Sequence, residues 1–405
     1  MRSSSKTVDM LNGPVLPQIL RFSMPLAATG ILQLLFNAAD AIVVGKFAGS
    51  DSLAAVGTTG SLINLLVGLF MGLSVGVNVL VARGLGCQDE EDVRRVNHSG
   101  VALSLLLSAG LVAIGLILSK PLLRIMDTPE EILPLSQQYL NIYFLGTPFS
   151  LLYNFLAASL RACGDTKRPL YFLTISGLTN VVLNLFFVIV LEMGVAGVAI
   201  ATVISQGVSV ALIVLFMMRM NSCLRLEWKR VRIDWSDVKR IVQIGIPAGL
   251  QGVIFSISNV MIQSSVNSFG SSVIAANTAS GNLDGFIYNA CNSVYHAAIT
   301  FTSQNLGARK YSRIRKVARS STLAVMIAAA CVVAVIYFGR TANKQVNSAT
   351  SAMRGDTQDA VKATEAAKKE AEAKENENQD LSEVANEEPV NDVVVDENID
   401  EKEEN

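Results

Sequence analysis

Apolar residues gather into nine long runs, at about residues 19–44, 53–82, 97–118, 133–159, 169–190, 194–218, 241–268, 272–303 and 317–338. Each is near or above the roughly 20 residues that a helix needs to cross a bilayer. Pro25, Pro148, Pro247 and Gly252 interrupt these runs, which membrane helices tolerate when neighbouring groups satisfy the freed backbone. The pattern predicts an all-α, polytopic membrane protein. Within the runs, polar residues recur at helical spacing. Thr29, Gln33, Asn37 and Asp40 step by four, four and three; Tyr143, Thr147, Ser150 and Asn154 by four, three and four; Ser176, Asn180 and Asn184 by four. Thr202, Ser205 and Gln206 follow in the sixth run, and Asn277, Asp284, Tyr288 and Asn292 step by seven, four and four in the eighth. Each set lies on one face of its helix.

The runs also repeat, as transporter lobes often do. At an offset of 222, Pro25, Gly30, Asn37 and Phe47 fall on Pro247, Gly252, Asn259 and Phe269. At an offset of 221, Ala54, Ala55, Gly60, Leu62, Leu85, Gly86, Arg94 and Val96 fall on Ala275, Ala276, Gly281, Leu283, Leu306, Gly307, Arg315 and Val317. Six spans per copy is an even number, so the copies run parallel, and the second stops after its third helix. The expected organisation is a cytoplasmic segment 1–18, a complete six-helix N-lobe 19–222, a basic cytoplasmic linker 223–240 and a partial three-helix C-lobe 241–340. An acidic low-complexity tail, 341–405, completes it.

Composition supports this reading, with 51% hydrophobic and 17% charged residues over 405 positions. The net charge of −1 averages two unlike parts: from Thr341 onward there are 7 Lys and Arg against 18 Asp and Glu, so the chain before it is strongly basic. A tail so charged and poor in aromatics cannot bury enough apolar surface to fold, and it is expected to be disordered apart from a transient charged helix over 355–376. The N-terminal flank and the loops after the second, fourth, sixth and eighth spans carry 22 of the remaining 26 Lys and Arg. That asymmetry places the N-terminus in the cytoplasm of a cell-membrane protein. The polar start MetArgSerSerSerLysThr predicts no cleavable signal peptide. The five cysteines have no CxxC or metal-like spacing and read as small hydrophobes. His98 and His296 read as packing or hydrogen-bonding residues.

The candidate chemistry centres on Asp40. A carboxylate inside a membrane helix costs about 2.5 to 3.5 kcal/mol on insertion scales, so it faces a bundle interior, a water cavity or an ion path. If the stripes converge, the first lobe encloses one acid and several amide and hydroxyl oxygens, suited to H⁺ or Na⁺; the alternative is that these groups only hydrogen-bond helix to helix. Asp284 is the second intramembrane acid. Gly68, Gly72 and Gly76 form a GxxxGxxxG packing face. The repeat places Ile262 opposite Asp40, which confines the ion site to the first lobe. No GxSxG, HExxH or Walker A pattern occurs, so neither an enzyme nor an ATP-driven pump is expected, and no cofactor or nucleic-acid partner is implied.

Several motifs together resemble the multidrug and toxic compound extrusion (MATE) transporters: AsnAlaAlaAspAlaIleValValGlyLysPheAlaGly at 37–49, ArgAlaCysGlyAspThrLysArgProLeu at 161–170, GlyValAlaGlyValAlaIleAlaThr at 194–202 and GlnAsnLeuGlyAlaArgLys at 304–310. The resemblance covers about residues 10 to 340. It implies two six-helix bundles that export amphipathic or cationic small molecules in exchange for H⁺ or Na⁺, with helices ten to twelve missing here, as in a chain truncated after the ninth helix. The family's first-helix acid matches Asp40 and its N-lobe polar positions match Asn154, Asn180 and Thr202. With Asn184 these are the cation-coupling candidates, Asp40 and Asn180 the candidate Na⁺ ligands, and the polar stripes add Gln33, Asn37, Tyr143, Asp284 and Tyr288 as substrate-pocket candidates. Asn184 stands where some members carry a further acid, and Phe255 where another subgroup carries a glutamate. A monomer among membrane lipids is expected. The alternatives are a non-transporting truncated or fused membrane protein and a flippase for a lipid-linked substrate.

Overall fold

The computed structural model describes residues 7–126, 128–267, 271–353, 362 and 364–369. The described residues form nine long helices and no strand: α1 (Val15–Phe47), α2 (Ser50–Cys87), α3 (Glu90–Ile125), α4 (Leu133–Ala162), α5 (Lys167–Leu185), α6 (Gly194–Met218), α7 (Trp235–Asn267), α8 (Ser271–Gly307) and α9 (Tyr311–Met353). A π-helical turn, Phe186–Val190, continues α5. Six helices contain a stretch long and apolar enough to cross a membrane. Among the others, α4 carries Gln137, Gln138, Asn141 and Asn154 and is largely buried within the bundle.

Three expected boundaries change. The tail does not begin at residue 341, because α9 runs on to Met353; no Gly or Pro lies between Gly339 and Gly355 to stop it. Residues 364–369 are also helical, and residues 370–405 lie outside the described residues. The linker 223–240 ends early, with α7 starting at Trp235, and it is packed, burying Cys223, Leu224 and Leu226. The segment 1–18 gives its last residues to α1, and residues 8–13 form a strap. Asn305 Nδ2 donates to the Met10 carbonyl at 3.0 Å and Lys310 Nζ to that of Leu11 at 2.9 Å. Arg313 donates to the carbonyls of Met10, Asn12 and Gly13, and Val8 N–H donates to the Gly164 carbonyl at 3.1 Å. Gly164 has φ of +88°, and a Cβ there would fall 2.6 Å from the Val8 oxygen, so only glycine serves.

Helix association in lipid relies on close packing and hydrogen bonds, because the surrounding tails are as apolar as the side chains. Gly115 accordingly receives the Phe144 ring, Gly177 the Phe36 ring and Gly100 the Val77 side chain. Of the GxxxGxxxG face, Gly72 packs on Gly249 and Gly76 on the Ile241 carbonyl, both of α7.

The repeat is visible as a pseudo-twofold contact at the end of the bundle that holds most Lys and Arg, called here the basic end. There α2 crosses α8 backbone to backbone. A Cβ on Gly86 would collide with the Gln304 carbonyl, and one on Gly307 with the Arg83 carbonyl; Gln304 lies 221 residues after Arg83, as Gly307 does after Gly86. Two flanking locks obey the same relation. Arg240 Nη1 donates to Asp92 Oδ1 at 2.9 Å, joining α7 to α3; Arg313 Nη2 donates to Gln18 Oε1 at 2.9 Å, joining α9 to α1.

Asp237 is fully buried under the first lock, accepting from Arg95 Nε at 2.8 Å and Arg240 Nη1 at 3.0 Å. Each arginine backs up the other. Arg95→Gln or Arg240→Gln alone is expected to cost about 1 kcal/mol, and the pair more than the sum, since only the double variant strands a buried carboxylate. Thermal unfolding of the purified protein in detergent measures the difference; strict additivity would argue against the shared network.

Candidate functional site

Asp40 sits on α1, two helical turns before its end at Phe47, or about 10 Å at 1.5 Å per residue. Three helices bring polar groups to it. Asn184 Nδ2 on α5 donates to Asp40 Oδ1 and, at 3.2 Å, to Asn180 Oδ1 one turn earlier. Asn180 Nδ2 donates to Thr202 Oγ1 on α6 at 3.4 Å. The helical step of four between Asn180 and Asn184 makes this chain of bonds available. Immediately beyond Asn184 the helix widens into the π turn Phe186–Val190, a feature frequent at functional sites.

The geometry fixes the Asn184 amide. A carboxylate only accepts, so the amide must turn its NH₂ to Asp40. Its Oδ1 is then buried with no hydrogen-bond partner, which costs about 1 to 3 kcal/mol in a folded protein and calls for an explanation. Asn180 and Asn184 are buried while Asp40 and Thr202 are half-buried, so one edge of the cluster is open. The donor set is one carboxylate with amide and hydroxyl oxygens, suited to a proton or a hard monovalent cation.

The remaining candidates are not all gathered there. Asn154, expected in the same pocket, turns back on its own helix, donating to the Ser150 carbonyl at 2.7 Å. Its spacing served local satisfaction instead of convergence. Gln33 and Asn37 lie exposed on α1, and Thr29 donates to the Pro25 carbonyl. Tyr143 stacks on Tyr139 with centroids 6.2 Å apart. Tyr288 stacks on Phe255 at 5.6 Å, next to Asn289, whose side chain abuts Gly30 of α1. Tyr288 therefore lies at the contact of α8 with α7, and among the described residues no hydrogen bond or ring contact joins it to the Asp40 cluster. The side chains of Asn277 and Asp284 lie outside the described residues. His98 behaves as expected: its ring bridges the Arg94 carbonyl and the Glu227 N–H. A hollow of about 440 Å³ at the α8–α9 turn is lined by Arg309, Lys310, Tyr311, Ser312, Arg313 and Lys316; it belongs to the basic end and not to this site.

The MatE family profile matches residues 25–186 and 247–343, which include Asp40, Asn180 and Asn184 of the cluster. The chain belongs to the MatE family. Its MatE relatives include the probable multidrug resistance protein YpnP of Bacillus subtilis, 32% identical over 309 residues that cover 76% of this chain and 69% of that protein. The probable multidrug resistance protein YoeA of Bacillus subtilis is 28% identical over 306 residues, covering 74% and 66% respectively. Among solved structures, a MOP superfamily transporter from Pyrococcus furiosus superposes with a TM-score of 0.78 at 24% identity, covering 85% of this chain and 76% of that one. This MatE chain is thus a multi-pass membrane transporter of a multidrug efflux family.

By sequence Arg161 counts with the basic residues that follow the fourth run, yet it is the penultimate residue of α4 and half-buried.

Proposed function

We propose that this chain is a cation-coupled secondary antiporter that exports amphipathic or cationic small molecules in exchange for H⁺ or Na⁺, with Asp40 as the coupling acid. The observation that carries the reading is the unpaired, buried Asn184 oxygen beside the Asp40 carboxylate. Ion and substrate compete for this edge of the first bundle. An occupied Asp40 has its charge compensated and releases a cationic substrate, while a vacant one attracts it. The proposal places the basic end in the cytoplasm of a cell membrane and treats the chain as a monomer. Na⁺ needs several oxygen ligands and uses the vacant Asn184 oxygen, whereas H⁺ needs only the carboxylate.

Purified protein in vesicles loaded with a cationic dye tests this. Dye movement driven by an imposed Na⁺ gradient at fixed pH, or by a pH gradient without Na⁺, supports coupling and identifies the ion. No gradient-dependent movement of any cationic dye supports the reading of a non-transporting protein. Asn184→Ala, which removes both the donor to Asp40 and the vacant oxygen, is expected to weaken the apparent affinity for the coupling ion about tenfold while the protein remains folded. Unchanged ion dependence in that variant counts against the site.

A further inference from the structure

Among the described residues, Arg94, Arg95, Arg161, Arg168, Arg240 and Arg313 are the half-buried arginines. Five of them have partners. Arg94 pairs with Glu91, Arg95 with Asp92 and Asp237, Arg168 with Asp165, Arg240 with Asp92 and Asp237, and Arg313 with Gln18 and the strap carbonyls. Arg161 makes no hydrogen bond or ion pair within that set. The acid nearest in sequence, Asp165, is buried and held by Arg168.

Nor does Arg161 serve the end of its own helix. The carbonyls around it already have donors: Ala158 receives Asn78 Nδ2 at 2.9 Å, Ala162 receives Gln304 Nε2 at 2.7 Å, Leu160 receives the Asp165 N–H at 3.0 Å, and Arg161's own carbonyl receives the Gly164 N–H at 2.9 Å. The bonds at Ala158 and Ala162 show that this face of α4 looks toward α2 and α8. Long side chains on a helix lean toward its N-terminus, and in α4 that direction leads away from the basic end and into the bundle. α8 meets this end of α4 through the bond from Gln304 to Ala162, and half-buried His296 lies about two helical turns before Gln304 on α8.

A guanidinium drawn out of bulk solvent without a counter-charge is costly in a membrane protein. It also presents a planar fork of donors matched to a carboxylate or phosphate. We propose that Arg161, together with His296 of α8, forms an anion subsite where this end of α4 meets α8, taking the carboxylate or phosphate group of an amphiphile. This deepens the transport reading and rests on it for what the subsite is for: the chain recognises amphiphiles carrying a negative group, as well as cations at Asp40.

The test measures binding alone, so its failure leaves coupling through Asp40 standing, and a failure of vesicle transport leaves the anion subsite standing. Fluorescence polarisation follows fluorescein, an anionic carboxylate dye, and rhodamine 6G, a cationic one, on full-length protein in neutral detergent. Arg161→Gln is expected to weaken fluorescein about tenfold or more and to leave rhodamine unchanged. Arg161→Lys retains part of the affinity, because the charge remains and the fork is lost. His296→Gln weakens fluorescein several-fold, and this variant carries the test should Arg161→Gln fail to fold. Displacement of fluorescein by phosphatidylglycerol but not phosphatidylcholine, in an Arg161-dependent way, assigns the subsite to a lipid headgroup. Undisturbed binding in phosphatidylglycerol assigns it to a soluble amphiphile. Three results overturn the proposal: no fluorescein binding by the wild type, equal binding by wild type and Arg161→Gln, or loss of both dyes together in folded Arg161→Gln.

Discussion

Asp40→Asn is expected to reduce gradient-driven dye efflux to the level of empty vesicles while the protein remains folded. The substitution is nearly isosteric and removes the one ionisable group in the cluster formed with Asn184, Asn180 and Thr202. Its amide can still face Asn184, now as one neutral amide to another, and the cost of burying a charge disappears. Thermal stability should therefore hold or rise. Activity and stability moving in opposite directions is the diagnostic, because a merely structural acid would lower both. Flux that survives in Asp40→Asn with unchanged ion dependence would remove Asp40 from the mechanism. The Asn184→Ala variant should fall between it and the wild type, since the carboxylate remains and only its neighbour is lost.

A second large effect is expected at the α2–α8 crossing. Gly86→Val places a Cβ against the Gln304 carbonyl and 3.0 Å from the Ala308 nitrogen. These are backbone atoms that no rotamer change can move aside, so the two helices must part along their length. Overpacking commonly costs about 1 to 3 kcal/mol, and a backbone contact stands at the upper end of that range. Gly307→Val meets the Arg83 carbonyl and, at 3.0 Å, the Cys87 nitrogen, and should cost a similar amount. Because one separation relieves both collisions, the double variant should lose clearly less than the sum of the singles. Gly110→Ala, with nothing within 4 Å of the added atom, is the control and should be neutral or slightly stabilising. Thermal unfolding in detergent measures all four proteins, and a Gly86→Val melting point equal to that of the wild type would contradict the crossing.

The helices were legible in the sequence because each apolar run is long and bounded by charge. Their ends were less so. The third run reads as 97–118, yet α3 extends over Glu90–Ile125: its first turn is built from Asp89, whose side chain accepts the Asp92 N–H at 3.0 Å, and from Glu90, Glu91 and Asp92, residues that hydropathy excludes and helix capping favours. The continuation of α9 to Met353 escaped for a related reason, its residues being mostly polar or small, so that hydropathy gives no signal there. At the site, Asp40, Asn180, Asn184 and Thr202 were found because polar groups at helical spacing inside apolar runs are costly unless they meet. Asn154 shows the limit of that argument, because a step of four equally allows a side chain to bond its own preceding turn. Arg161 was hidden by a rule that is sound for loops: a basic residue near a helix end counts toward orientation, and only packing reveals that this one has turned inward.

The strap of residues 8–13 constrains how the molecule is made. Its partners Asn305 and Arg313 follow Met10 by 295 and 303 positions, so they leave the ribosome long after it. During synthesis Val8 can meet Gly164 once α4 has emerged, but basic-end closure becomes available only when the turn between α8 and α9 has followed. Contacts of such separation are among the slowest to form. The six-helix first bundle is thus translated before the clasp that holds its opening segment can engage.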